Sequence, residues 1–119
     1  MNIALIGYGK MGKTIEQIAL QRGHNVVLKI SSSNLDELTD DNLKKADAVI
    51  EMTQPEAAKA NVMLCLKAGV PVTSGTTGWN LEIPETNKAA EDYDTAFLYA
   101  SNYSVGVNIF FEVNKILAK

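Results

Sequence analysis

The sequence predicts an α/β fold: a doubly wound, mostly parallel sheet with helices on both faces. Three observations predict it. Short apolar runs of strand length alternate with helical patterns along the chain. The first run, Ile3 to Ile6, breaks directly into Gly7-x-Gly9-x-x-Gly12, and a helical pattern starts at once. The later runs end in hydroxyl- or glycine-rich turns, at the strand ends where open α/β sheets meet their ligands.

Composition bounds the answer. A chain of 119 residues, 46% of them apolar, can build one domain with a real core. A net charge of −3 argues against a nucleic-acid surface and against an anionic membrane surface. No apolar run reaches the length that spans a bilayer, and the N-terminus lacks the basic-then-apolar order of a secretion signal. The one cysteine, Cys65, sits in an apolar helical pattern and reads as a structural, reduced thiol, which fits the cytoplasm. No metal site is expected.

The glycine turn comes first because it carries chemistry. Gly7 allows the tight turn out of the strand, Gly9 lets backbone approach a pyrophosphate, and Gly12 lets the helix lie close to the strand. The first helical turn then offers unpaired N–H groups and a positive dipole end to phosphates. The order strand, glycine turn, helix is that of a Rossmann-type dinucleotide fingerprint, so Gly7, Tyr8, Gly9, Lys10, Met11 and Gly12 are candidate cofactor contacts.

The helix runs over 10–22, with Met11, Ile15, Ile18 and Ala19 at helical spacing and Gly23 ending it. His24, in the next turn, reads as a surface residue. Val26 to Ile30 is the second strand. A fingerprint wants an acid near its end, about 20 residues past the last glycine, for the ribose 2′-OH. This chain has Ser31-Ser32-Ser33-Asn34 there. Hydroxyls and N–H groups accept a 2′-phosphate that a carboxylate repels, so Ser31 and Ser32 tilt the cofactor toward NADPH over NADH, or toward tolerance of both. Lys10 is placed to pair with that phosphate.

Residues 34–45 are polar, a loop with one helical turn. Ala46 to Met52 is the third strand. Thr53 and Glu56 have capping-box spacing for the next helix, which carries Ala58, Val62, Cys65 and Leu66 on one face and ends at Gly69. Thr53 is a cap, a cofactor contact, or both. Val70 to Ser74 is the fourth strand and ends in Gly75-Thr76-Thr77-Gly78-Trp79, where exposed N–H and hydroxyl groups can meet a ligand and Trp79 serves as a packing cover. A polar-faced helix covers 84–92. Thr95 to Ala100 is the fifth strand, followed by Ser101-Asn102-Tyr103-Ser104 and a last helix that is apolar nearly all round. A helix of that kind stopping at Lys119 is expected in one half of a larger enzyme; the alternative is a natural end whose apolar face forms a dimer. The strand order is expected to be 3-2-1-4-5, with the ligand across the carboxyl ends of strands one and four.

Four turns thus stand at strand ends: the glycine loop with Met11, Thr53-Gln54-Pro55, Gly75-Thr76-Thr77-Gly78, and Ser101-Asn102-Tyr103-Ser104-Val105-Gly106-Val107-Asn108. Together they resemble the cofactor-binding half of the 4-hydroxy-tetrahydrodipicolinate reductase family, over all 119 residues. The resemblance implies reduction of a cyclic dicarboxylate imine by NADH or NADPH on the diaminopimelate route to lysine, in a homotetramer. It implies that Gly7 to Gly12 contact the pyrophosphate and that Ser31 meets the adenosine ribose. It further implies that Gly75, Thr76 and Thr77 lie by the nicotinamide with Thr77 near the substrate, and that Ala100, Ser101, Asn102 and Tyr103 also lie by the nicotinamide. The glycine loop is one residue shorter than in many members, and the ribose acid is absent; both departures concern cofactor choice.

The family's substrate domain, with its paired histidines, lysine and anion loop, has no counterpart in this chain. Residues 1–119 are therefore expected to form a dinucleotide-binding domain that binds cofactor without turnover, meeting the dicarboxylate only through the missing half. Two competing readings stand beside this one: the cofactor domain of another two-domain dehydrogenase, such as aspartate or homoserine dehydrogenase, and a non-catalytic NAD(P)-sensing module.

Overall fold

Alternation along the first strand divides the core in two. Ile3 and Leu5 pack with Ile15, Ala19, Ala48 and Ile50 on one side of the sheet. Ala4 and Ile6 face the other side, among Ile30, Val49, Ala58, Val62 and Leu66. A two-residue period of this kind is what a strand covered on both faces needs. The computed structural model describes residues 1–76, 78–79 and 82–99. Its elements are β1 (Asn2–Ile6), α1 (Lys10–Gln21), β2 (Asn25–Ile30), a 3-10 turn (Leu35–Glu37), α2 (Asp40–Leu43), β3 (Ala48–Glu51), α3 (Pro55–Lys67), β4 (Val72–Ser74), α4 (Ile83–Asp92) and β5 (Phe97–Tyr99). The five strands form one sheet, and every pair in it is parallel. Side chains of α1 fill one face, and those of α2, α3 and α4 fill the other. The expected doubly wound α/β class is the observed one.

The strand order is not the expected one. It is β2-β1-β3-β4-β5, so β3 lies against β1 rather than outside β2. Burial explains why. Every residue of β3 is buried, as a central strand requires, whereas Asn25, Val27 and Lys29 of β2 are exposed, as an edge strand allows. Leu43 of α2 and Ala46 sink into the α3-side core and carry the chain across that face from one edge to the centre. The carboxyl end of β1 is therefore flanked by β2 and β3, not by β2 and β4 as the expected order has it.

Smaller differences have local causes. Residues 34–45 hold two helical turns, the 3-10 turn and α2, the second capped by the Thr39 hydroxyl accepting from the Asn42 N–H. Met11 does not join the buried stripe of α1; it is 42% exposed, and the stripe is Gly12, Ile15 and Ala19. The α3 face Ala58, Val62, Cys65 and Leu66 is buried as the spacing predicts. Trp79 is buried and meets Phe97 and Tyr99 edge-on, with ring centroids 5.8 and 6.0 Å away. The helix expected after Ser104 lies outside the described residues.

Candidate functional site

The site begins at the turn out of β1. Gly7 has φ +99° and donates its N–H to the Ile30 carbonyl at 2.8 Å. A Cβ at Gly7 would lie 1.8 Å from the Met52 carbonyl oxygen, and one at Gly12 would lie 2.5 Å from the Gly7 carbonyl oxygen. These two glycines are demanded by the protein's own backbone. Gly9 differs: a Cβ there would meet nothing within 4 Å. Gly9 is the N-cap of α1, no side chain caps that end, and the first turn contains no acid. The first amide groups of α1 lie at this uncapped end, with the positive end of the helix dipole behind them.

In front of the turn lies a cavity of about 550 Å³, large enough for part of a dinucleotide. Its walls come from the end of β1 and the glycine turn (Ile6, Gly7, Tyr8, Gly9), the end of β2 (Ile30, Ser31, Ser32, Leu35), and the β3–α3 turn with α3 (Met52, Thr53, Gln54, Ala57, Asn61). None of these lining side chains carries a charge. Of the candidate residues, Gly7, Tyr8, Gly9, Ser31, Ser32 and Thr53 are brought together on this cavity. Lys10, Met11 and Gly12 sit in the first turn of α1, and Gly75 and Thr76 follow β4; none of the five is among the lining residues. Thr77 and Ala100, Ser101, Asn102 and Tyr103 lie outside the described residues. His24 stands at the far end of α1, its Nδ1 3.2 Å from the Met1 ammonium.

Two walls are held by polar clamps. The Tyr8 hydroxyl donates to Glu16, whose carboxylate also pairs with Lys29 at 3.0 Å. The Tyr8 hydrogen bond, then the Lys29 one, hold the Glu16 carboxyl below its ordinary range. The ammonium groups of Lys29 and Lys13 lie 5.1 and 5.9 Å from the Tyr8 ring centroid. At the end of β2 the serine turn closes on itself. The Ser31 N–H donates to Asn34 Oδ1 at 2.7 Å, the Ser31 and Ser33 hydroxyls bond each other at 2.8 Å, and Asn34 Nδ2 donates to the Lys29 carbonyl at 2.8 Å. That geometry puts a turn closed by the Asn34 side chain where the fingerprint has its ribose acid.

Sequence reasoning missed Glu51, at the carboxyl end of β3. It is fully buried, and its carboxylate accepts from the Ser74 hydroxyl at 2.6 Å, from the Thr76 hydroxyl at 2.9 and 3.0 Å, and from the Thr53 hydroxyl. The capping box expected at Thr53 does not form. Gln54 is the N-cap of α3 and gives no side-chain cap, because the Thr53 hydroxyl has turned to Glu51 instead. The Thr53 N–H donates to Thr76 Oγ1 at 2.8 Å, which ties the β3–α3 turn to the loop after β4. Glycine loop and Gly75-Thr76 thus share one rim of the sheet, since Ile6, Glu51 and Ser74 are in register. The signal was an acid ending an otherwise apolar buried strand. On the α3 face, burial pushes the Cys65 thiol pKa up, and the Glu51 charge adds to the effect.

An open parallel sheet whose first turn is a glycine loop facing a crevice at the β1–β3 switch defines a Rossmann-like α/β domain. The chain belongs to the family described as dihydrodipicolinate reductase, N-terminus, whose model matches residues 1–103. A relative from Christiangramia forsetii, named 4-hydroxy-tetrahydrodipicolinate reductase, is 44% identical over 99% of this chain and 48% of its own length. The chain spans about half the length of the curated relatives it matches. Among solved structures, a dipicolinate-bound dihydrodipicolinate reductase from Paenisporosarcina sp. TG-14 superposes with a TM-score of 0.71 at 21% identity, over 87% of this chain and 48% of that one. A hyperthermophilic archaeal homoserine dehydrogenase in complex with NADPH gives 0.66 at 14% identity, over 84% of this chain and 43% of that one. At these identities the two structures speak for the fold alone.

Proposed function

We propose that this chain is the NAD(P)H-binding half of a 4-hydroxy-tetrahydrodipicolinate reductase. The observation that carries the reading is the open approach at Gly9, beside an uncapped helix end and a cavity of about 550 Å³. A pyrophosphate carries two negative charges and needs N–H donors, a positive dipole end and room for its oxygens; the turn from Gly7 to Gly12 offers all three. When bound, the nicotinamide supplies a hydride. The chain's own residues bind and orient. Gly7, Gly9 and the first turn of α1, with Lys10 and Met11, take the pyrophosphate. Ser31 and Ser32 meet the adenosine ribose, and Thr53 forms the wall between the halves. Gly75, Thr76, Thr77 and Ala100 to Tyr103 serve the nicotinamide end, with Thr77 toward the substrate.

The described lining residues are uncharged, which fits both cofactors: among them no acid repels a 2′-phosphate and no cation demands one. NADPH is held slightly tighter because Lys10 stands in the neighbouring turn. The substrate is a cyclic dicarboxylate imine, clamped by cations and N–H donors from the half of the relatives' length that this chain does not span. The chain therefore binds cofactor without turnover, and the whole enzyme works as a cytoplasmic homotetramer in lysine biosynthesis.

Fluorescence titration of the purified chain with NADH and NADPH tests this. Both should bind, NADPH more tightly, and Ser31→Glu should weaken NADPH more than NADH. Absence of binding by either, or the reverse order for Ser31→Glu, overturns the assignment.

A further inference from the structure

Glu51 is a fully buried carboxylate with no cation paired to it among the described residues. A buried charge is costly unless its acceptor sites are filled. Among the described residues they are filled by hydroxyls alone: Thr53 after β3, Ser74 at the end of β4 and Thr76 after it. Each hydroxyl has one proton to give, and each donates to a carboxylate oxygen of Glu51, so the three protons point inward together. Their lone pairs then face outward and are used. Thr76 Oγ1 accepts the Thr53 N–H at 2.8 Å, and Thr53 Oγ1 accepts from Asn61 Nδ2 at 3.4 Å. Thr53 and Asn61 both line the cavity. The same cluster anchors the loop beyond, since the Trp79 indole N–H donates to the Thr76 carbonyl at 2.8 Å.

We propose that Glu51 is a positioning residue: by collecting the hydroxyl protons of Thr53, Ser74 and Thr76, it holds the turns after β3 and β4 in the one arrangement that shapes the cavity wall at Thr53 and Asn61. The effect on cofactor affinity rests on the NAD(P)H reading above; the effect on the Thr53 amide does not. Glutamine has the same size and shape, but its NH2 is a donor where one carboxylate oxygen accepted. Donor would face donor at Thr53 and Thr76, or at Ser74 and Thr76, and one hydroxyl must turn away. Aspartate is shorter yet keeps acceptors only. A role in filling space predicts that Gln replaces Glu well and Asp poorly. A role in accepting protons predicts the opposite order.

The test compares the wild-type chain with Glu51→Gln, Glu51→Asp and Thr76→Val, by NADPH titration and by amide hydrogen exchange followed by NMR. In the wild type the Thr53 amide should exchange as slowly as the strand amides of Ile6 and Ile50. It should lose protection in Glu51→Gln and Thr76→Val while those strand amides keep theirs. NADPH should bind about tenfold more weakly to Glu51→Gln, with a smaller loss for Glu51→Asp. A fast-exchanging Thr53 amide in the wild type, Glu51→Gln matching the wild type, or Glu51→Asp binding more weakly than Glu51→Gln overturns the proposal. Should Glu51→Gln not fold, Glu51→Asp decides through the same amide: it keeps acceptors only, so the Thr53 amide should keep its protection, and loss of protection overturns the proposal. Failure of the wild type to bind either dinucleotide counts against the cofactor reading, and the amide pattern then judges Glu51 by itself.

Discussion

The three glycines of one hexapeptide stretch divide between two jobs, and substitution separates them. Gly7→Ala drives a methyl group into the Met52 carbonyl at a positive φ, so a loss of about 3 kcal/mol or more is expected in chemical denaturation. Gly9→Ala meets no atom, and its φ of −89° suits alanine. It should cost under about 1 kcal/mol of stability, the loss of a tolerable N-cap, yet weaken dinucleotide binding by at least about tenfold, because the methyl fills the approach to the amides. Equal loss of stability in both variants would contradict this division. The glycine spacing was visible in the sequence because it is local; which glycine faces the protein and which faces the cavity was not, since that depends on Met52, 45 positions after Gly7. Glu51 was hidden for the same reason. Its partners Ser74 and Thr76 lie 23 and 25 positions away, and nothing in a linear pattern marks three hydroxyls as neighbours of one carboxylate.

At the scale of elements, the helices were easier to read than their caps. The apolar stripes of α1 and α3 repeat every turn, and Gly23 and Gly69 end them at φ +83° and +76°. The start of α3 was misread because Thr53 has a second partner that outcompetes the cap. Gln54 occupies the N-cap with φ −106° and ψ 153°, an extended conformation suited to a short capping side chain. Gln54→Ser should therefore raise the urea midpoint by an amount worth about 0.5–1 kcal/mol, with an unchanged slope. A lowered midpoint would mean that the Gln54 side chain does more for the cavity wall than an N-cap would do for the helix. Strand order was misjudged although its signal was present. The exposed Asn25, Val27 and Lys29 mark β2 as an edge, while the unbroken Ala48-Val49-Ile50 run marks β3 as central.

For the molecule as a whole, the β2-β1-β3 order sets the carboxyl ends of three neighbouring strands around one crevice, and the Glu51 hydroxyl cluster extends the same rim to β4. The class of fold followed from the alternation of runs, because a parallel sheet needs a crossover after every strand. The rim's inner wiring did not. The core on the α3 face has one further consequence. Cys65 is the single sulfhydryl of the chain, wholly enclosed and kept protonated by its apolar surroundings and the nearby negative charge. It is a built-in reporter of transient opening. Iodoacetamide should label the native chain only as fast as the α3 face breathes. Added urea should accelerate labelling in step with global unfolding, with no dye, tag or mutation required. Rapid labelling without urea would reveal that α3 detaches from the sheet well before the rest lets go.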